Sequence, residues 1–406
     1  MLNSRDFDEA RKRLAGIAQF TPLNYSRSLS ELVDCEVYLK LENLQKTGSF
    51  KLRGAVNKIM SLDATARGNG VIAASAGNHA QGVALGSQRL GVNATIVMPE
   101  GAPLAKVSAT RNYGAEVILH GAVYDDAYAK AVEIQEQTGG TFVHAFNDPL
   151  VIAGQGTIGL EIMEQLPSVD VIFVPIGGGG LAAGVSAAVK ALAPGVKVIG
   201  VQASGAPSMY ESLQAGKIVT LAKASTIADG IAVKEPGSLT FDLVSKYVDS
   251  VVRVTDEEIA EGILTLLERC KVVAEGAGAV SIAAVLSRKL NLSGKKVVCL
   301  ISGGNIDVNF MAQIIERGLI KTGRKVKIST FIPDKIGTLQ RLLEIVSGCR
   351  ANIISVDHSR TESALPLGTA EVELTLETEN RQHIDRILEA LTATGYPVSL
   401  LTHSAK

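Results

Sequence analysis

The sequence contains no tryptophan, and only 8 tyrosines and 9 phenylalanines among 406 residues. Proteins that stack the bases of single-stranded nucleic acid need more aromatic surface than this. An excess of one charge is missing too: 40 Lys and Arg stand against 41 Asp and Glu, a formal net charge of -1. That balance removes the attraction to a phosphate backbone or an anionic membrane surface, so neither nucleic acid nor membrane is an expected partner. The four cysteines, Cys35, Cys270, Cys299 and Cys349, lie far apart and form no C-x-x-C pair. They read as reduced core thiols, with no metal site indicated. No run approaches the ~18 apolar residues of a membrane-spanning helix, and the polar start Met1-Leu2-Asn3-Ser4-Arg5-Asp6-Phe7-Asp8 has no apolar leader core. The cytoplasm is the expected compartment.

What is present is glycine: 40 residues, above the usual ~7%. A chain of this length predicts two or three domains. From Val37 to about Gly318, short apolar runs alternate with amphipathic stretches. Strands are expected at Val37-Leu41, Val71-Ala74, Ala94-Met98, Glu116-Leu119, Thr141-His144, Val169-Ile176, Lys197-Gln202 and Lys296-Ile301. Helices are expected at Asn78-Leu90, Tyr124-Gln137, Leu150-Gln165, Leu181-Ala193 and Asp256-Val273, where apolar positions recur three and four apart. Buried strands alternating with helices specify α/β architecture with parallel sheets. The basic stretch Arg317-Lys325, with two glycines, reads as a linker. Beyond it, strand Lys327-Pro333, helix Gly337-Ser347, strands Asn352-Asp357 and Ala370-Glu377, helix Arg381-Thr392 and strand Val398-Thr402 give the ferredoxin-like order βαββαβ.

Four segments carry chemistry. Gly177-Gly178-Gly179-Gly180 follows a strand and opens a helix, so its backbone N–H groups converge on an anion at a helix N-terminus; a phosphate is the natural guest. A tight turn without a ligand is the plainer account. Gly178-x-Gly180-x-x-Ala183 also satisfies the dinucleotide fingerprint, but the next strand ends at Gln202 where that fold requires an acid for the ribose. In Ser75-Ala76-Gly77-Asn78-His79-Ala80-Gln81-Gly82, backbone amides and the Ser75 hydroxyl are placed to hold a carboxylate, and the Asn78 amide offers a donor to a ring oxygen; a simple helix cap competes. Ser49 is expected to cap a helix with Lys51 in its first turn, where the dipole disfavours the charged amine and favours a nucleophile; a solvated surface lysine is the alternative. Ser302, at the end of strand Lys296-Ile301 in Ser302-Gly303-Gly304-Asn305, points to the crevice where α/β proteins bind ligands, unless it too is a cap.

In this order the motifs Ser49-Phe50-Lys51-Leu52-Arg53-Gly54-Ala55, Ser75 to Gly82, Gly177 to Leu181 and Ser302 to Asn305 resemble those of the fold-type II (tryptophan synthase β-like) pyridoxal-phosphate enzymes, specifically the threonine dehydratases, over residues 15 to 315. The resemblance implies a catalytic region of two parallel-sheet domains across residues 1–322, the smaller spanning about 52–150. It implies pyridoxal 5'-phosphate held covalently by the catalytic Lys51, its phosphate cradled by Gly177, Gly178, Gly179, Gly180 and Leu181. Asn78 then bonds the ring hydroxyl, Ser302 faces the pyridine nitrogen, Phe50 packs beside the ring and Glu275 lies near the cofactor. The substrate carboxylate falls to Ser75, Ala76, Gly77, Asn78 and His79. No tyrosine lies in these motifs and Phe50 is their one aromatic besides His79, so ring binding is expected to rest on hydrogen bonds and the lysine link more than on stacking.

The implied reaction is dehydration and deamination of L-threonine to 2-oxobutanoate and ammonia, and of L-serine to pyruvate, with a place in isoleucine biosynthesis or in catabolism. Serine racemase, or a dehydratase for another β-hydroxy amino acid, is the nearest alternative. Serine racemases carry a second serine where this chain has Ala76, which disfavours two-base racemisation. They also place acidic metal ligands where this chain reads Gln202-Ala203-Ser204-Gly205-Ala206-Pro207-Ser208. A non-catalytic amino-acid sensor and a nucleotide-binding dehydrogenase are the readings from other classes. Residues 326–406 resemble an ACT domain, with Gly337 at its effector-facing turn. That implies an amino-acid effector, or alternatively a nucleotide effector near Lys46-Thr47, and a homo-oligomer, dimer or tetramer.

Overall fold

The computed structural model describes residues 2–360 and 367–401. The chain divides into Met1–Asp307 and Val308–Lys406.

In the first unit, a six-stranded sheet has the order Leu23–Tyr25, Glu36–Leu41, Lys296–Ile301, Val171–Pro175, Lys197–Ala203, Ser250–Val254. All neighbours are parallel except the first pair. A second, wholly parallel sheet runs Glu116–Leu119, Ala94–Met98, Val71–Ala74, Thr141–Phe142. Every residue of Val71–Ala74 and of Val171–Pro175 is buried, as expected of strands covered by helices on both faces. Ile172, Val174, Val185, Val189 and Val198 centre the larger core, and Ile59, Val83, Ile96 and Met98 the smaller. Two strands escape the sequence pattern: Leu23–Tyr25 is three residues long, and Ser250–Val254 has a half-exposed edge.

The helix Lys51–Met60 packs against Pro149–Gln165 and Asn78–Leu90. The approach is close: a Cβ on Gly154 would lie 2.6 Å from the Arg53 carbonyl oxygen, so glycine is required there. The expected helix Asp256-Val273 is shorter. Its α-helical part ends at Thr265, a π turn spans Leu266–Cys270, and Lys271 at φ 58° stops it.

The second unit is a four-stranded antiparallel sheet ordered Asn352–Ser359, Thr369–Glu377, Lys325–Pro333, Val398–Leu400, with helices Thr338–Gly348 and Arg381–Ala393. Alternate residues of Thr369–Glu377 are buried, and Val372 and Leu374 pack with Leu342, Val346, Ile387 and Leu391. This is the βαββαβ topology. Thr402, the expected last strand residue, lies outside the described residues. The expected linker Arg317-Lys325 is corrected: helix Val308–Lys321 runs through most of it, absorbing Gly318 at the ~1 kcal/mol a mid-helix glycine costs. Lys325 Nζ reaches Glu316 Oε1 at 2.7 Å, joining that helix to the first strand of the sheet.

Candidate active site

The carboxyl ends of Val71–Ala74, Val171–Pro175 and Lys296–Ile301 open onto one cavity of about 900 Å³. The residues expected to hold the cofactor and the substrate carboxylate all line it: Phe50, Lys51, Ser75, Ala76, Gly77, Asn78, His79, Gly177, Gly178, Gly179, Gly180, Leu181, Glu275 and Ser302.

Lys51 is the first residue of its helix, and its Nζ donates to the Ala145 carbonyl at 3.0 Å. No carboxylate pairs with it among the described residues. Burial pulls its pKa down to about 8 against the opposing pull of Glu275, so a neutral amine is accessible near physiological pH. The expected Ser49 cap is corrected. Ser49 forms a backbone bridge to Gly303, Phe50 N–H donates to the Ser302 carbonyl, and Phe50 itself takes the N-cap position. The Ser49 hydroxyl is left buried with no partner among the described residues.

Gly180 opens the helix Gly180–Leu192, and Gly179 precedes it at φ 98°, a left-handed conformation that favours glycine. Phe146 closes the outer side, where a Cβ on Gly178 would meet its ring at 2.5 Å. Among the described residues no acceptor takes the backbone N–H groups of Gly177, Gly178, Gly179, Gly180 or Leu181. Five unpaired donors at a helix N-terminus form an anion cradle. Thr240 braces it, the one proton of its Oγ1 shared between Gly178 O at 2.5 Å and Gly237 O at 3.0 Å. In the opposite wall, Ser75 Oγ accepts from Gly77 N–H at 3.2 Å, while the N–H groups of Ala76, Asn78 and His79 find no acceptor among the described residues. The cap at this helix is Gly77, not Ser75 or Asn78.

Glu275 lies between these walls. Asn78 Nδ2 donates to its Oε1 at 2.6 Å, and Asn305 Nδ2 donates to Asn78 Oδ1 at 2.8 Å, which sets the orientation of the Asn78 amide. Burial, helped by Asp229, pushes the Glu275 carboxyl up to about 7, against the Asn78 bond and the charges of Lys106 and Lys51. His79 Nε2 meets the Val143 carbonyl at 2.7 Å; a carbonyl only accepts, so Nε2 carries the proton and the buried, unpartnered Nδ1 keeps its lone pair. Burial, with Lys51, holds His79 neutral, its pKa down to about 3. Ser302 Oγ donates to the Ala277 carbonyl at 3.2 Å. At the metal-ligand stretch of the racemases, Gln202 accepts from Tyr210 N–H at 2.7 Å and donates to Ala206 O at 3.4 Å.

Sequence reading missed the aromatic wall. Tyr124, Tyr128, His144 and Phe146 line the cavity, and with Phe142 they form a continuous series of ring contacts at 4.7–6.3 Å. These rings come from outside the four motifs.

These residues fit pyridoxal phosphate by their chemistry: a buried amine of lowered pKa, a cradle of free N–H donors for the phosphate, and polar side chains between. The comparisons with known proteins agree. The pyridoxal-phosphate dependent enzyme family matches residues 15–303. The chain is 57% identical to an L-threonine ammonia-lyase of Thermotoga maritima over 99% of its own length and all of that protein's. It is 50% identical to a catabolic L-threonine dehydratase of Escherichia coli, across 76% of this chain and 94% of that one. Among solved structures, a maize serine racemase superposes with a TM-score of 0.74 at 37% identity, covering 79% of this chain and 98% of that one. A buried lysine and a cradle of unpaired glycine N–H groups in one cavity, in a chain matched by that family over most of its first unit, leave one assignment: the protein belongs to the pyridoxal-phosphate dependent enzymes.

Proposed function

We propose that the protein is an L-threonine ammonia-lyase that converts L-threonine to 2-oxobutanoate and ammonia and accepts L-serine, giving pyruvate. The observation that carries the chemistry is the meeting, in one cavity, of the Lys51 amine with the unpaired N–H groups of Gly177 to Leu181. The 57% identity to a threonine ammonia-lyase over the full chain supports the substrate. Pyridoxal phosphate, when bound, supplies the electron sink that makes an amino acid's Cα–H acidic.

The protein's own residues do the rest. Gly177 to Leu181 would hold the phosphate, and Phe50 and the aromatic wall would border the ring. The free amides of Ala76, Asn78 and His79, in the Ser75 to His79 loop, take the substrate carboxylate. Lys51 Nζ receives the Cα proton, and the lowered pKa of its amine suits that role. Asn78, clamped by Glu275 and Asn305, presents its amide at a fixed angle. Ser302, its proton committed to Ala277, would offer the cofactor a neutral acceptor rather than a fixed anion. Threonine then loses its β-hydroxyl as water, and hydrolysis of the released enamine yields the 2-oxo acid. Ala76 offers no hydroxyl for a second base, which favours elimination over racemisation.

The second unit acts as an ACT-like amino-acid-sensing module. Its antiparallel βαββαβ sheet supports that reading, as does Gly337 at φ 86°, capping Thr338–Gly348 with open space beside its Cα. Such modules pair through their sheets, implying a homo-oligomer, and we place the enzyme in the cytoplasm; among the described residues no helix is long and apolar enough to cross a membrane.

The test is 2-oxo acid release from L-threonine and L-serine, each with and without isoleucine, valine and AMP. Wild type releases 2-oxobutanoate and shows a visible cofactor band; Lys51→Ala loses the band and about 100- to 10,000-fold of the rate. Production of D-serine without 2-oxo acid refutes the assignment. Truncation after Thr322 abolishes the effector response if the second unit senses the effector.

A further inference from the structure

Three polar ties link elements of the two sheets of the catalytic unit. In one, Arg53 bonds Glu42 and Glu161 out of contact with solvent. In the second, Asn78 bonds Glu275 and Asn305. The third also lies at the cavity. Helix Leu104–Asn112 connects two strands of the smaller sheet, and the turn Asp229–Ile231 connects two strands of the larger. Lys106 Nζ stands 2.9 Å from Asp229 Oδ2, and both residues line the cavity.

The three differ in how readily they open. Separating Arg53 from its carboxylates strands buried charge. Lys106 and Asp229 are 27% and 64% exposed, and an ion pair so placed shifts an equilibrium only a few-fold. Of the three ties it is the one that opens at the smallest cost. Its position is also coupled to the cradle: Ile231, two residues beyond Asp229, backs Gly177, whose added Cβ would lie 3.0 Å from the Ile231 Cα. Asp229 is held in turn by Gly230 N–H, which donates to its Oδ1 at 2.9 Å.

We propose that Lys106 and Asp229 are positioning residues that latch the smaller sheet's helix Leu104–Asn112 to the larger sheet's turn across the cavity, holding the site closed over its bound amino acid. The competing role for Lys106 is direct contact with the substrate carboxylate. The two separate cleanly, because a latch needs both charges and is indifferent to which side carries which, whereas a carboxylate contact needs only the lysine. The kinetic arm rests on the dehydratase reading; the exchange arm does not.

The experiment compares full-length holoenzyme with Lys106→Met, Asp229→Asn and the exchanged pair Lys106→Asp/Asp229→Lys. Steady-state kinetics with L-threonine are run at low and high ionic strength, and amide hydrogen exchange is followed in residues 104–112. Wild-type KM is expected to rise with ionic strength; both single variants are expected to raise KM about 3- to 10-fold with a smaller change in kcat, to lose that salt dependence, and to exchange faster in 104–112. The exchanged pair recovers KM and protection to within about twofold. A raised KM in Lys106→Met with none in Asp229→Asn overturns the latch in favour of a carboxylate contact. Unchanged exchange in both single variants, or no recovery in the exchanged pair, overturns it outright. If wild type binds pyridoxal phosphate yet releases no 2-oxo acid, the dehydratase reading fails, and the exchange arm still decides the latch.

Discussion

The two units treat charge in opposite ways. Inside the catalytic unit Lys40, Arg53, Glu42 and Glu161 form a buried cluster: Lys40 Nζ lies 2.5 Å from Glu161 Oε2, and Arg53 bonds both carboxylates, Thr157 Oγ1 at 3.1 Å and Gln19 O at 3.0 Å. In the carboxyl-terminal unit the core is Ile328, Leu342, Val346, Val372, Leu374 and Ile387, while its described ion pairs reach solvent, Lys327 and Glu373 being each about one-third exposed. The second arrangement is what folding alone favours, since an apolar core needs no geometric match between charges. The first places a rigid, saturated guanidinium two residues beyond Lys51, on a helix whose first residue must stay in place. The difference teaches where this chain accepts a folding cost for a fixed position, and the cost falls beside the reactive amine.

The most severe way to break the contrast is Arg53→Met. It leaves Glu42 and Glu161 facing an apolar side chain and is expected to cost about 3–5 kcal/mol, read by urea denaturation. Amide exchange accelerates in Lys51–Met60 and stays as in wild type in Thr369–Glu377. A cost no greater than a surface substitution means the cluster does not fix the lysine helix. The matching change in the other unit, Leu374→Ala, empties a fully buried site and is expected to cost about 2–4 kcal/mol. Its accelerated exchange falls in Thr369–Glu377 instead, with wild-type kinetics at saturating threonine.

A pH-dependent change sharpens the contrast further. The Glu275 carboxyl is raised to about 7 in the folded protein, from 4.5. A folded pKa above the unfolded one contributes stability fully present below pH 4.5 and lost as pH rises through 7. Glu275→Gln keeps an acceptor for Asn78 without the charge. Measured on cofactor-free protein, it is expected to match wild type toward pH 4, where the carboxyl is protonated, and to be the more stable by about 3 kcal/mol above pH 7, where wild type carries a buried charge. Parallel stability curves from pH 4 to 8 for the two proteins exclude Glu275 as the titrating group.

The contiguous motifs were legible because each packs its chemistry into a few residues next to a strand end: Gly177 to Leu181, Ser75 to His79, Ser49 to Gly54 and Ser302. The parallel sheets were legible because strands such as Val71–Ala74 are apolar throughout. What escaped was assembled from distant positions. Lys106 and Asp229 are 123 residues apart, and Thr240 reaches Gly178 across 62. The cavity's tyrosines sit on a helix that reads as ordinary amphipathic sequence. Lys40 shows why: in Glu36–Leu41 it looks like a solvated strand residue, and only Glu161, supplied by a helix 121 residues on, makes its burial tolerable. The Ser49 cap failed for a related reason, since Gly303 claims its backbone from the far end of the unit. A local capping rule contains no information about that partner.

The smallest expected effect completes the contrast. Lys327→Gln removes one partner of an ion pair on the carboxyl-terminal sheet, where Glu373 still reaches water and needs no replacement. An exposed pair gains little Coulomb energy and spends side-chain entropy to hold its geometry, so the loss is expected at no more than about 1 kcal/mol and smaller still at high salt. Urea denaturation at low and high ionic strength reads it. If Lys327→Gln instead costs as much as Arg53→Met, and does so at both salt concentrations, Lys327 is buried in the working protein. The sheet face that carries it would then be covered by a second copy of the chain, and the apparent difference between the units would reflect assembly rather than two ways of building a core.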